Sequence, residues 1–137
     1  MINAVYDTNI LISSFIGKGP PHQVFDAVLK GKVKLILSPE IIEEFNDVIP
    51  RKKFGFTEKQ IKKAKSIVLR VSIIIEPEEK VNIIKADPDD NKFLECAKAA
   101  KVKYIVSGNK HLLKLKKWEK IKIVTANEFM KILKKKK

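Results

Sequence analysis

The sequence predicts an α/β fold around a mainly parallel sheet of four to five strands. Short apolar segments alternate along the chain between strand-like and helical periodicity, and helix-start and helix-stop residues stand at the junctions. The length of 137 residues suits a single domain spanning 1–137, with no internal repeat and no linker long enough to divide it.

The first strand is Ile2 to Tyr6, and after Asp7 the run Asn9 to Phe15 has helical spacing, ended by Gly17-Lys18-Gly19-Pro20-Pro21. His22 to Lys30 is the next helix, with Val24, Phe25, Val28 and Leu29 on one face and Gly31 as its C-terminal stop. Lys34 to Leu37 is the second strand. Ser38-Pro39 places an N-cap before a first-turn proline and opens a helix to about Ile49. Thr57 and Gln60 have capping-box spacing and start a helix to about Arg70, followed by the β-branched strand Val71 to Ile75. Glu78 to Lys85 reads as a connection. Asp87-Pro88 opens a helix to about Lys101, and Tyr104 to Val106 is a strand ending at Ser107-Gly108. A short helical turn at Lys110 to Leu113, a strand at Lys122 to Val124, and a helix opened by the capping box Thr125 to Glu128 complete the chain. The terminal run Lys134 to Lys137 reads as a solvated end.

Twenty-nine basic residues against 16 acids give a net charge of +13, which makes polyanions the first partner to consider. The charge is uneven: Lys110 to Lys137 carries +9 and residues 1–109 only +4. Abundant Lys and Glu also resemble the composition of heat-adapted proteins. The apolar runs are too short to span a membrane, no secretory signal is visible, and the lone Cys96 excludes an internal disulfide and a cysteine-based zinc cluster. The expected location is the cytoplasm. Walker, dinucleotide-binding and nucleophile-elbow motifs are absent. Cys96 and Trp118 read as packing residues, and His22 and His111 as surface residues.

Three carboxylates stand out. Asp7 follows a buried strand directly, where a charge needs a cation or hydrogen bonds to compensate it; a simple helix N-cap would also place an aspartate there. On the helix after Ser38, a 100° projection puts Glu44 on the flank of the apolar stripe of Ile41, Phe45 and Val48, whereas Glu43 points away. Asp90 falls in line with Phe93, Ala97 and Ala100 on the buried face of its helix, with Asp87 placed to cap and Asp89 to one side. A helix dipole contributes about 1 kcal/mol to such a charge, which does not cover the burial of a carboxylate. Hard oxygen ligands of this kind suit Mg²⁺ or Mn²⁺ rather than zinc, and such an ion promotes phosphodiester hydrolysis. Polar residues at strand ends (Asp7, Ser38, Ser107, Thr125) can converge at the crevice outside the carboxyl edge of a parallel sheet.

Four segments in order resemble the PIN domain family, in its branch of small prokaryotic toxins of toxin–antitoxin systems. They are Val5-Tyr6-Asp7-Thr8-Asn9-Ile10-Leu11, Leu37-Ser38-Pro39-Glu40-Ile41-Ile42-Glu43-Glu44-Phe45, Asp87-Pro88-Asp89-Asp90-Asn91-Lys92-Phe93-Leu94 and Tyr104-Ile105-Val106-Ser107-Gly108-Asn109-Lys110-His111-Leu112-Leu113. The resemblance implies a three-layer α/β/α sandwich and a metal-dependent endoribonuclease acting on single-stranded RNA, often a homodimer and paired with an antitoxin. It implies Asp7, Glu44 and Asp90 as catalytic and metal-binding acids, with Asn9 and Ser107 in support. Many members carry aspartates where Asn109 and His111 stand here. Asn109 can offer a carbonyl oxygen to the metal but brings no charge, so one bound ion at most is expected. Two other readings remain open: a PIN module that binds RNA or an antitoxin with little catalysis, and a phosphatase using Asp7 as nucleophile. The latter wants a second aspartate two residues on, where Asn9 stands.

Overall fold

A computed structural model describes residues 1–135 of the chain. Six strands, β1 (Ile2–Tyr6), β2 (Val33–Leu37), β3 (Ser72–Ile74), β4 (Tyr104–Val106), β5 (Lys117–Trp118) and β6 (Ile121–Val124), form one sheet in the order β3-β2-β1-β4-β6-β5. All neighbours run parallel except β5 and β6. Seven helices accompany it: α1 (Thr8–Ser13), α2 (Pro20–Leu29), α3 (Pro39–Val48), α4 (Glu58–Val71), α5 (Asn91–Ala100), α6 (Lys110–Leu113) and α7 (Ala126–Lys135). This is an α/β sandwich of the PIN-like kind, and its central strands β1, β2 and β4 are mostly buried and apolar because helices cover both faces.

On one face α2 packs against α7, and Phe129 of α7 is fully buried between the rings of Tyr6 and Tyr104, with centroids 6.0 and 5.6 Å away. The Tyr6 hydroxyl donates to the Val24 carbonyl at 2.8 Å, which satisfies a polar atom buried among apolar side chains. On the other face α5 lies over β1, β2 and β4 and meets α3. Register places the site: Tyr6 stands beside Val106, and the Asp7 amide continues the ladder by donating to the Val106 carbonyl at 3.0 Å. Asp7 and Ser107 therefore leave the sheet side by side.

The expected caps are present. Ser38 Oγ accepts from the Ile41 amide at 3.3 Å, and Thr57/Gln60 and Thr125/Glu128 form reciprocal capping boxes. Gly31 follows α2 at φ 76°, a backbone conformation that favours glycine. Four boundaries differ from the expected ones. Pro20 and Pro21, expected to lie outside the helix, open α2, since first-turn prolines lose no helical hydrogen bond. Val71 closes α4, so β3 keeps only three residues. Asp87-Pro88 opens a 3₁₀ turn over Pro88–Asp90 before α5 begins. Finally, the two-residue β5 was not expected. It hairpins onto β6 through Glu119-Lys120, and Lys116 before it and Glu119 in the turn stand at φ 59° and 54°, a conformation that glycine or asparagine would have signalled. Lys134 and Lys135 belong to α7, and the last two lysines of the terminal run lie outside the described residues. Among the described residues no helix is long and apolar enough to cross a membrane.

Candidate metal centre

The sheet order reverses at β1, with β2 on one side and β4 on the other, so the crevice at their carboxyl edge is the switch point where parallel sheets bind ligands. Asp7 stands there at 1% exposure. One carboxylate oxygen accepts from the Ile10 amide at 2.9 Å, which makes Asp7 the N-cap of α1. The other accepts from the Ser107 hydroxyl and from the Gly108 amide at 3.2 Å. Burial pushes its pKa up to about 6, against the pull of those donors and with a further push from Asp90. Asp7 is thus both the cap and a group of the site.

Asp90 arrives from the opposite side, at the junction of the 3₁₀ turn and α5, and is 6% exposed. Burial and then the neighbouring Asp87 raise its pKa, while Asn109 and His111 pull it back. The Asn109 amide donates to Asp90 Oδ2 at 3.0 Å, and Asn109 Oδ1 accepts from the His111 amide at 2.7 Å to cap α6. The carbonyl oxygen expected as a metal ligand thus also caps the helix it starts. His111 Nδ1 is buried, 3.5 Å from Asp90 Oδ2, and has no hydrogen-bond partner. Ligand atoms of Asp87, Asp90 and His111 lie within 4.8 Å of one another.

The sequence places Asp87 to cap its helix and His111 on the surface, whereas the fold brings both to Asp90. Asp87 makes no side-chain cap bond; the 3₁₀ turn instead puts it on the same side as Asp90 three residues later. The turn is itself anchored. Asn91, buried, accepts from the amides of Ile83 and Ile84 at 3.1 and 2.9 Å and donates to the carbonyls of Ile84 and Pro88, both at 2.9 Å.

Glu44 lies beside this group. One of its oxygens accepts from the Thr8 hydroxyl, the residue next to Asp7, and the other pairs with Lys92 Nζ at 2.9 Å. Lys92 also pairs with Asp89 at 2.6 Å, and its side chain is only 4% exposed. Burial alone would lower the pKa of this ammonium, and the Asp89 and Glu44 carboxylates more than reverse that, so it stays charged. Lys92 was not singled out from the sequence; its one local signal is the i,i+3 spacing to Asp89. Ser107 is buried and links the two halves, donating to Asp7 while its oxygen accepts from the Asn109 amide at 2.9 Å. Asn9 is exposed in the first turn of α1.

The profile of the PIN domain matches residues 3–111. The chain belongs to the PIN domain family. No curated protein matches it. The matched span of the PIN domain contains every residue of the centre, from Asp7 to His111, and ends before β5. The PIN fold is a nuclease-type fold whose members generally use a divalent metal. The donor set here fits such an ion: two buried carboxylates, the Asp87 carboxylate near Asp90, and an imidazole nitrogen without a hydrogen-bond partner. Among the described residues no lysine or arginine pairs with Asp7 or Asp90.

Proposed function

We propose that this PIN domain is a Mg²⁺- or Mn²⁺-dependent ribonuclease that hydrolyses phosphodiester bonds in single-stranded RNA. One observation carries the reading: Asp7 and Asp90 are both buried, with raised pKa values, and among the described residues no lysine or arginine pairs with either. Asp7 and Asp90 would hold the ion, with Asp87 and His111 completing the set and Glu44 next to it. When bound, the ion supplies an acidified water and positive charge beside the phosphoryl group. The chain's own residues prepare the place. Three donors fix the Asp7 carboxylate, and Ser107 ties the start of α6 to it. The lysines that dominate residues 110–137 supply the attraction for the RNA backbone. The toxin role, an antitoxin partner and a homodimeric form rest on the family resemblance.

Labelled single-stranded RNA incubated with the protein and Mn²⁺ should be cleaved, and neither the EDTA control nor Asp90→Asn should cleave it. Cleavage that survives both controls sinks the metal–carboxylate reading. A second reading, a module that binds RNA or an antitoxin without cutting, is favoured by the Asn109 amide, which occupies Asp90 with a neutral donor. Binding without cleavage by the wild type would select it.

A further inference from the structure

The carboxylates of the centre fall into two sets that differ in what neutralises them. Asp7 and Asp90 meet amides, a hydroxyl and an imidazole. Glu44 and Asp89 meet an ammonium, Lys92, which reaches them at 2.9 and 2.6 Å from a buried position on α5. Both oxygens of Glu44 are engaged, one by Thr8 and one by Lys92. A cleft of about 330 Å³ opens beside them, lined by the acids Glu40, Glu43, Glu44, Asp47 and Asp89 and by the cations Arg51 and Lys92. Lys80 pairs with Glu40 at 3.3 Å, and among the described residues Lys92 is the cation that pairs with Glu44 and Asp89.

We propose that Lys92 is a resident cation standing where a second divalent ion would otherwise bind, so that it positions Glu44 beside the centre and limits the site to one metal. The proposal rests on the reading of Asp7 and Asp90 as a divalent-metal centre. For Glu44 to ligate a metal directly, its oxygen would have to leave Lys92, and a buried ammonium would lose one of its two counter-charges. Glu44 therefore acts through Thr8 and Lys92, at the flank of the ion and outside its ligand set. Lys92 is a positioning residue, and its charge is the property that matters.

Titration calorimetry with Mn²⁺ on the full chain tests this, using wild type, Lys92→Gln, Lys92→Arg, Glu44→Gln and the double variant Lys92→Gln/Glu44→Gln. Wild type should bind one ion per chain, and Glu44→Gln should still bind one with affinity changed less than threefold. Lys92→Gln should bind two, Lys92→Arg should return to one, and the double variant should lose the second ion. Two ions in wild type, one in Lys92→Gln, or loss of the ion in Glu44→Gln would each overturn the role given to Lys92. No ion in wild type would instead sink the metal centre, and this inference with it. Circular dichroism reports whether Lys92→Gln is folded; if it is not, the Glu44→Gln arm decides alone, because its amide oxygen can still accept from Lys92.

Discussion

Replacing Asp7 with asparagine should make the metal-free protein more stable at pH 8. Burial raises the Asp7 pKa from 3.8 to about 6, so holding this carboxylate charged in the fold costs about 3 kcal/mol at pH values above both. Asparagine removes that cost. It has one acceptor oxygen, however, for the three donors that Asp7 now satisfies, and the Gly108 amide would be left unpaired at a loss of about 1–2 kcal/mol. The net gain is about 1–2 kcal/mol. The sign with pH follows from the raised pKa: the folded state holds the proton more tightly, so wild-type stability rises as pH falls through about 6 and levels off below 3.8. Asp7→Asn lacks that rise. Urea unfolding in EDTA, followed by circular dichroism from pH 8 to pH 4.5, should show the variant ahead at pH 8 and wild type level with it or ahead at pH 4.5. A variant less stable at pH 8, or a difference that stays constant across the window, would refute the reasoning.

Ser107→Ala removes the hydroxyl that lowers the Asp7 pKa and leaves the Asn109 amide without its acceptor. The stability rise on acidification should then begin at higher pH than in wild type, and the same urea titrations measure it. Phe129→Ala should cost about 3–5 kcal/mol by emptying the space between Tyr6 and Tyr104, read as a lower urea midpoint at unchanged slope.

Much of the fold was legible because its signals are local. The β-branched and apolar runs, Ser38-Pro39 and the two capping boxes each determine their own turn of chain, and the structure keeps them within a residue or two. Asp90 was legible for the same reason. Its alignment with Phe93 and Ala97 survives even though its own turn is 3₁₀, and it is buried as that alignment predicts. What could not be read depends on approach between distant segments. Lys92 meets Glu44 across 48 residues, and nothing near either one announces the pair. His111 acquires its place only when α6 is brought to Asp90, and Asn109 shows its two bonds, a cap and a donor to Asp90, only in three dimensions. The hairpin of β5 was hidden because its positive-φ positions are occupied by lysine and glutamate.

The basic composition and the acidic crevice act at different ranges. Lysines spread over residues 110–137 attract a polyanion over roughly a Debye length, about 8–10 Å. At the crevice itself the sign reverses, because Asp7, Asp87 and Asp90 repel a phosphate at contact distance; burial above all, and then repulsion between neighbouring carboxylates, raises the pKa values of Asp7 and Asp90. Two species can relieve that repulsion: a proton, which Asp7 takes up below about pH 6, and a divalent cation, which acts at neutral pH without protonating the site. The proton leaves nothing to stabilise a phosphoryl group, whereas the cation brings an excess of charge. Keeping two carboxylates buried without a resident counter-ion is costly to the empty fold, and Lys92 shows that the chain can supply an ammonium to a carboxylate in the same crevice. That among the described residues no ammonium or guanidinium pairs with Asp7 or Asp90 is the feature that sets them apart from Glu44 and Asp89, and it is the reason to look for an external cation at those two residues.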